Sequence, residues 1–419
     1  METKREGYER VNSCKVKKRK DRKNMATIGS KRMQHFSTGI FTELNEKRDA
    51  MEKQGKKLYN LFVGTPDFPP APHIMEAVQK SAANPEDYKY SLRDLPELLD
   101  AVSDYYQERF QVSVAPDMIT GVHGSQEGIG HVCMALCDPG DVVLLPNPGY
   151  PVFEAGAYLA QTEQYYYELK EENAFLPVLS EIPEDIAKRA KVMIVSYPYN
   201  PVCRTAPDSF YDELIAFAKK YDIFVIHDNA YSDIIFDGRV GGSFLQHEGA
   251  MEVGAEFFSL SKSYNITGAR VSFMIGRKDA VEALKLLRSQ IDFGTFIPVQ
   301  KGAIAALRGP KDYVKEQCQK YQERRDALCG GFRSIGWNVP DSEGTMFVWA
   351  PIPEGYTSSR EFANAMVEKA GVLCTPGDAF GSCGEGYVRF ALVLPPEELK
   401  KAVQAVKDSG ILELETVEK

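Results

Sequence analysis

The stretch SLSKSYNITGAR, residues 259–270, places a single lysine among small and hydroxylated side chains. Lys262 has no acidic neighbour in this stretch, and Arg270 follows it eight positions later. The apolar segments GAEFFSL and VSFMIG on either side are typical of buried strands. Most lysines lie at the surface with the amine in water. Lys262 is therefore either such a residue or a reactive amine at the end of a buried strand.

A primary amine forms a Schiff base with an aldehyde, and pyridoxal 5′-phosphate (PLP) is an aldehyde cofactor that carries a phosphate. Its ring nitrogen needs a buried carboxylate in order to stay protonated, and Asp228 ends the apolar run FVIHD. Asn200 in YNP and Tyr231 in DNAY are suited to the ring hydroxyl. The alternatives are an ion pair or helix cap for Asp228, and turn or packing roles for the other two.

A phosphate group needs backbone amides at a helix start and a fixed cation. The segment HGSQEG opens a predicted helix, and a serine and an arginine flank the lysine. The candidates for this task are Gly124, Ser125, Gln126, Ser259 and Arg270. A surface ion pair is the alternative for Arg270. Tyr150 in PGYPVF is a candidate for stacking on the cofactor ring.

The elements that would position these residues alternate along the chain. Apolar segments such as DVVLLPNPGY, AKVMIVSYPYNP and IFVIHDNAY predict buried strands, whereas SFYDELIAFAKKYD predicts an amphipathic helix. This alternation predicts an α/β fold with a mostly parallel sheet between helices. Ligands of such sheets bind in the loops at the carboxyl ends of the strands, where PNPGY, YPYNP, DNAY and SLSK all lie.

The segments after about residue 293 differ in character and predict a smaller α+β domain. It contains a long helix, the strands GTMFVWAPI and YVRFALVL, and a final amphipathic helix. We expect a basic tail over 1–24, and an arm and helix over 25–60 that pack on the small domain. The large PLP-binding domain is predicted over 61–295, and the small C-terminal domain over 296–419.

The order of these motifs resembles the PLP-dependent aminotransferases of fold type I, class I/II, over roughly residues 35–415. Residues 259–270 match that family's S-x-S-K…R segment, DNAY its D-x-x-Y element, and YNP its N-P element; GSQEG is similar to its phosphate loop. The resemblance implies that Lys262 holds PLP, that Asp228 contacts the ring nitrogen, and that Tyr231 and Asn200 contact the ring hydroxyl. It implies that the phosphate is held by Ser259, Arg270 and the loop with Gly124, Ser125 and Gln126, and that Tyr150 stacks on the ring.

Three further residues follow from the same resemblance. Tyr90 in YKYSL resembles the tyrosine that reaches the partner subunit's phosphate, which implies a homodimer with shared active sites. Gly64 in GTPDF and Arg389 in GYVRFAL would bind the substrate carboxylate, together with Asn200. Arg389 also lies in an apolar run, where a cation is costly without an anion beside it. A buried structural ion pair is the alternative for Arg389.

Two segments depart from the family pattern. The usual N-P-T-G reads NPVCR here, so the turn lacks its glycine, and Asp94 stands where a glycine is frequent. Neither position touches the cofactor in the analogy, but both could alter the substrate pocket.

The reaction that the resemblance implies is transamination between an L-amino acid and a 2-oxo acid. The motifs GSQEG, PGYPVFEAG and FALV look most like the branch with LL-diaminopimelate, aspartate and alanine aminotransferases, with 2-oxoglutarate as a possible acceptor. Asp228 would keep the cofactor an electron acceptor while Lys262 moves the α-proton. Two alternatives stay open: a PLP-dependent C–S β-lyase, and a non-catalytic regulator that senses a ligand with an aminotransferase-like body.

The composition is that of a globular protein, with 43% hydrophobic and 26% charged residues. The chain has no apolar run long enough to span a membrane, and its charged amino end lacks the apolar core of a signal peptide. Its eight cysteines form no CxxC pair, so we expect free thiols, no metal and a cytoplasmic location.

The net charge of −9 is unevenly distributed. Residues 1–24 carry ten Lys or Arg against four Asp or Glu, which leaves 40 basic against 55 acidic residues in the rest of the chain. The basic tail is compatible with an arm for nucleic acid or an anionic surface, with a solvated disordered tail, or with an extension upstream of the start at Met25. We favour the solvated tail, and the acidic body argues against nucleic acid as a partner.

Overall fold

The computed structural model describes residues 29–36 and 40–413. Residues 29–36 contain one exposed 3₁₀ turn, Lys31–Gln34. The other elements belong to a second unit, Ile40–Lys419. The predicted basic tail, residues 1–24, lies outside the described residues, and the predicted domain boundaries stay a prediction.

Fourteen α-helices occur in the described part of the chain. Proline stands in the first two positions of five of them, where its missing N–H leaves no helical hydrogen bond unmade. The helices are α1 (Ile40–Glu52), α2 (Pro72–Ala82), α3 (Pro96–Phe110), α4 (Ser125–Leu136), α5 (Pro151–Leu159), α6 (Glu184–Arg189), α7 (Asp208–Tyr221), α8 (Ala250–Val253), α9 (Leu260–Ser263), α10 (Lys278–Ser289), α11 (Ile297–Arg308), α12 (Asp312–Ser334), α13 (Ser359–Ala365) and α14 (Pro396–Asp408). Within the described residues, no helix is both long and apolar enough to cross a membrane.

The same part of the chain contains twelve strands. They are β1 (Tyr59–Asn60), β2 (Ile119–Val122), β3 (Val142–Asn147), β4 (Glu163–Glu168), β5 (Ala190–Ser196), β6 (Phe224–Asn229), β7 (Gly254–Ser259), β8 (Ser272–Gly276), β9 (Phe347–Pro351), β10 (Val372–Leu373), β11 (Thr375–Pro376) and β12 (Tyr387–Ala391).

Seven of the described strands form the main sheet, in the order β2-β8-β7-β6-β5-β3-β4. The pairs from β4 across to β7 are parallel, and β8 runs antiparallel to both of its neighbours. Every residue of β6 and β7 is buried, as expected for central strands covered by helices on both faces. The mostly parallel α/β sheet predicted from the sequence is therefore confirmed, and the carboxyl ends of β5, β6 and β7 meet at one edge.

A smaller sheet of three strands, in the order β11-β12-β9, is antiparallel throughout. Helices α12 and α13 pack against it and α14 packs against α12, which confirms the predicted α+β unit. In the central strand β12, Arg389 lies opposite Thr375 on one side and Trp349 on the other. This register brings a buried arginine from the second sheet towards the carboxyl edge of the first.

Candidate active site

A cavity of about 270 Å³ lies where the loops after β5, β6 and β7 meet the second sheet. Eleven of the thirteen residues predicted from the sequence line it, and the two exceptions are Gly124 and Tyr90. The eleven are Gly64, Ser125, Gln126, Tyr150, Asn200, Asp228, Tyr231, Ser259, Lys262, Arg270 and Arg389. Residues separated by more than 300 positions in the sequence therefore share one small volume.

Lys262 lies in the single helical turn α9, directly after the buried strand β7. The turn begins because the Ser259 hydroxyl accepts a hydrogen bond from the backbone N–H of Ser261 at 3.2 Å. The Lys262 amine donates to the backbone oxygen of Gly64 at 2.6 Å. Burial, followed by the charges of Arg389 and Arg270, lowers the pKa of Lys262 to about 8. An amine with this pKa is partly neutral near pH 7, as a nucleophile or a general base requires.

Asp228 is a buried carboxyl group on β6, only 8% exposed. Its Oδ1 atom has no hydrogen-bond partner among the described residues. Burial raises the pKa of Asp228 to about 7, although a hydrogen bond from the backbone of Ala230 acts in the opposite direction. A buried acceptor without a donor is costly, so this oxygen is suited to an N–H group on a bound ligand.

Arg389 brings a cation to the opposite side of the cavity. Its Nη1 donates to Asn200 Oδ1 at 2.6 Å, and its guanidinium lies over the rings of Phe347 and Phe380, at 4.1 and 4.6 Å from their centroids. Burial lowers the pKa of Arg389 to about 10, so the group is still charged at pH 7. A planar guanidinium beside an amide matches the geometry of a carboxylate.

The start of helix α4 and the side chain of Arg270 form a third wall. Gly124 precedes the helix at a φ of +83°, and a Cβ atom there would lie 2.2 Å from Nη2 of Arg270. Gly124 thus does not line the cavity but leaves room for the arginine that does. Ser125 opens the helix, where free backbone amides favour an anion. Tyr150, whose pKa is raised by burial, donates to Gln126 Oε1 at 3.2 Å.

Tyr90 lies away from the cavity. Its side chain is 85% exposed, and its ring lies 5.9 Å from the ring of Phe293. Within this chain, Tyr90 does not join the eleven predicted residues that line the cavity.

The two departures from the family pattern have local structural explanations. Cys203 adopts a φ of +60°, the left-handed conformation that a glycine would take at this turn. Its buried side chain donates to the backbone oxygen of Pro201 at 3.1 Å. Asp94 accepts a hydrogen bond from the backbone of Gly121 at 2.8 Å. Neither Cys203 nor Asp94 lines the cavity, so both act on the scaffold around it.

Sequence reasoning missed seven residues that line the cavity: Val63, Thr65, Ser196, Ala230, Ser261, Thr267 and Phe347. Ser261 and Thr267 lie within the segment 259–270, so their position beside Lys262 was a usable signal. Phe347 had no such signal, because it comes from β9 of the second sheet. Its ring lies against Arg389 and would be 2.2 Å from a Cβ atom at Gly64. Gly64 is therefore required for close packing.

One group of described residues outside the cavity has metal-ligand character: His123, Glu127 and Asp292. The Nε atom of Arg288 lies 3.6 Å from Glu127 and 3.3 Å from Asp292. The guanidinium already supplies the positive charge that these two carboxylates need.

Residues 56–406 match the model of a protein family described as aminotransferase class I and II. The chain belongs to this family. Residues that match this model cover all the strands of both sheets and all the residues that line the cavity. The protein is accordingly a transaminase, and the family implies PLP as its cofactor.

Curated relatives of this aminotransferase include proteins named LL-diaminopimelate aminotransferase. The protein from Moorella thermoacetica is 42% identical over 381 residues, which cover 90% of this chain and 97% of the relative. The protein from Aquifex aeolicus is 41% identical over 382 residues, which cover 90% and 98%.

Solved structures are also similar to the aminotransferase. A substrate-bound BacF structure from Bacillus subtilis has a TM-score of 0.88 and 33% identity, and the match covers 91% of this chain and 98% of BacF. A probable N-succinyldiaminopimelate aminotransferase from Thermus thermophilus has a TM-score of 0.83 and 32% identity, with 88% and 100% covered. These likenesses confirm the fold type I architecture expected from the sequence.

Proposed function

We propose that this aminotransferase binds PLP through Lys262 and transfers the amino group of LL-diaminopimelate, or of a related L-amino acid such as aspartate or alanine, to a 2-oxo acid such as 2-oxoglutarate. The observation that carries the proposal is the Lys262 amine, which has a lowered pKa and lines the same cavity as the buried acid Asp228. Identity of about 40% to relatives named LL-diaminopimelate aminotransferase supports the first substrate.

The residues present fit PLP on three independent grounds. Asp228 Oδ1 is a buried acceptor with no donor among the described residues, as a protonated ring nitrogen would require. The start of α4 with Ser125 and the cation of Arg270 are suited to the phosphate, and Gly124 keeps the space between them. Tyr231 and Asn200 line the same cavity and would bind the ring hydroxyl. When bound, PLP supplies an electron-accepting ring that lowers the barrier to loss of a proton from the amino acid.

The other steps are the work of the chain's own residues. Arg389 and Asn200 would hold the α-carboxylate of the amino acid, with the backbone at Gly64 closing that end of the site. An amino acid held in this way would lie in the same cavity as the Lys262 amine. The Lys262 amine, neutral in part at pH 7, would take the α-proton as a general base and return it as a general acid. Ser259 and Tyr150 would fix the position of the cofactor, through the phosphate and the ring face respectively.

A homodimer is part of the proposal. Exposed apolar side chains cluster around Tyr90, whose ring contacts Phe293, and around Tyr88, whose ring lies 5.3 Å from that of Phe296. Leu92 in the same region is 69% exposed. An apolar surface of this kind is typical of an interface between subunits. Tyr90 would then contribute to the phosphate site of the partner, in agreement with its position outside its own cavity.

A cytoplasmic location also belongs to the proposal. The seven cysteines in the described ranges are all free thiols. Free thiols are typical of proteins kept in a reducing compartment.

The proposal is tested by following the visible absorption of the purified protein as PLP and then single amino acids are added. We expect a visible band that one amino acid removes, with the matching 2-oxo acid released and no free ammonia. Lys262→Ala should still bind PLP but lose turnover. Pyruvate and ammonia released without a 2-oxo acceptor would instead identify a lyase, and full activity of Lys262→Ala would refute the role of the lysine.

A further inference from the structure

A carboxylate lies buried directly behind the strand that carries Asp228. Glu256 of β7 has no exposed surface, and it lies opposite His227 of β6 in the parallel ladder. Burying an ionised carboxylate is expensive unless donors surround it. The catalytic scheme proposed above makes no use of Glu256.

Four donors surround the Glu256 carboxylate. Oε1 accepts from the hydroxyls of Tyr106 at 2.7 Å and Ser243 at 2.8 Å. Oε2 accepts from the backbone N–H of Phe244 and from Nδ1 of His227, each at 2.9 Å. Burial by itself raises the pKa of Glu256, but the hydrogen bonds, first that from His227, bring it below the ordinary value. The group is therefore an anion in the core of the protein.

His227 connects this anion to the active-site strand. Its side chain has no exposed surface, and its Nε2 atom lies 3.3 Å from the hydroxyl of Tyr211. Burial raises the pKa of Tyr211, so that hydroxyl keeps its proton. Successive side chains of a strand point to opposite faces of the sheet. His227 is thus anchored on one face of β6, while Asp228 is presented to the cavity on the other.

We propose that Glu256 is a positioning residue for Asp228. Through its bond to His227 it fixes the strand that presents Asp228, and its buried charge makes Asp228 a stronger acceptor for a ligand N–H. This inference rests on the proposed function, in which Asp228 holds the ring nitrogen of PLP. Among the described residues that line the cavity, Asp228 is the only carboxylic acid, and it shares the cavity with basic side chains, those of Lys262, Arg270 and Arg389. The negative charge of Glu256 acts on Asp228 in the opposite sense to these positive charges.

Several ionisable groups surround Asp228. Those that share the cavity with it are Tyr150, Tyr231, Lys262, Arg270 and Arg389, and those behind β6 are His227, Glu256, Tyr106 and Tyr211. Apart from Asp228, Glu256 is the one carboxylate in these two sets. Because it does not line the cavity, a variant can remove its charge without changing the cavity itself.

The decisive variant is Glu256→Gln, which removes the charge and keeps the shape. Its amide N–H₂ can face the hydroxyls of Tyr106 and Ser243, which rotate to accept, while its oxygen still accepts from Phe244 and His227. Tyr106→Phe is the matched control, because it removes one donor to the same carboxylate but keeps the charge. For each protein we would measure the dissociation constant of PLP between pH 6 and pH 9, and the melting temperature of the cofactor-free form.

We expect Glu256→Gln to raise the PLP dissociation constant about tenfold, which corresponds to one unit of proton affinity, and to move its pH profile towards lower pH. Tyr106→Phe should lower the melting temperature but bind PLP within about twofold of the wild type. Equal PLP affinity and an unchanged pH profile in Glu256→Gln would overturn the inference. So would equal losses of affinity in both variants, since these would reveal a purely structural network.

If Glu256→Gln does not fold, the pair His227→Asn and His227→Phe decides the question. Asparagine can still donate to Glu256 from the position of Nδ1, whereas phenylalanine cannot. Weaker PLP binding in His227→Phe, with near wild-type binding in His227→Asn, supports the inference. Indistinguishable affinities in the two variants overturn it. A wild-type protein that fails to bind PLP would refute the proposed function itself, which is a separate outcome.

Discussion

The amine of Lys262 should react as a neutral nucleophile at pH 7, far more readily than an ordinary lysine. With a pKa of about 8, against an ordinary value of 10.5, about one amine in ten is neutral at that pH. At the ordinary value the fraction would be roughly one in 3,000, so the expected enhancement is about 300-fold. Its physical origin is burial first, and then the positive charges of Arg389 and Arg270.

Carbamylation by cyanate measures this property directly, since only the neutral amine reacts. The cofactor-free protein would be treated briefly between pH 6 and pH 10, digested, and each lysine quantified by mass spectrometry. We expect Lys262 to be modified roughly 100-fold or more faster than exposed lysines at pH 7, with a midpoint near pH 8. Bound PLP should protect it.

A second measurement separates the causes of the low pKa. Arg389→Met removes one neighbouring positive charge but leaves Lys262 buried. The midpoint pH for carbamylation of Lys262 should therefore rise in this variant yet stay below that of exposed lysines. If Lys262 reacts with the rate and pH dependence of exposed lysines in the wild type, the reasoning from burial is refuted.

Three further predictions concern the scaffold and the acid. Gly124→Ala, whose Cβ would lie 2.2 Å from Arg270, should raise the PLP dissociation constant at least tenfold in a titration. The control is Gly140→Ala, which shares a positive φ but has no described heavy atom within 4 Å of its Cβ. It should cost only about 1 kcal/mol of stability and leave the affinity for PLP unchanged. Folding raises the pKa of Asp228 to about 7, so its ionisation opposes folding as the pH rises from about 4 to 7. From pH 5 to pH 8 the cofactor-free wild type should therefore lose about 3 kcal/mol of unfolding free energy relative to Asp228→Asn, measured by urea unfolding. Parallel curves of stability against pH for the two proteins would contradict this. Cys203→Gly removes the cost of a left-handed conformation, about 1–2 kcal/mol, but also removes a buried side chain. The two effects oppose each other, so the free energy of unfolding should change by less than about 1 kcal/mol. A much larger loss would show that the contacts of the thiol dominate.

Most of the main sheet was predictable because its strands are buried on both faces. Such strands are continuous apolar runs, and β5, β6 and β7 stand out from the amphipathic helices between them. The short elements were not predictable. β10 and β11 have two residues each and exist only through their pairing with distant strands. The turn α9 falls where the sequence predicts the loop SLSK, since its start depends on a serine cap rather than on periodicity.

The candidate site was predictable where parallel strands bring their ends together. Asn200 follows β5, Asp228 lies near the end of β6, and Lys262 follows β7, so one edge of the sheet brings them together. Arg389 was recognisable as a cation in an apolar strand. Phe347 was not, because its contact with Gly64 depends on how the second sheet packs on the first, and no local pattern encodes that distance. The buried contacts of Glu256 were not predictable either, because its donors come from α3, from β6 and from residues 243 and 244.

The residues that line the cavity run from Val63 to Arg389, and this spread has a consequence for the order of events during synthesis. A chain made from its amino end reaches Arg389 only 127 residues after Lys262. No fragment that ends before Arg389 contains both Lys262 and Arg389. A ligand that needs both Lys262 and Arg389 must therefore bind the folded protein, so it stabilises the fold once formed and does not direct the early stages of folding. Binding of the amino acid substrate, which the proposal assigns to Arg389 beside Lys262, thus reports on completed folding.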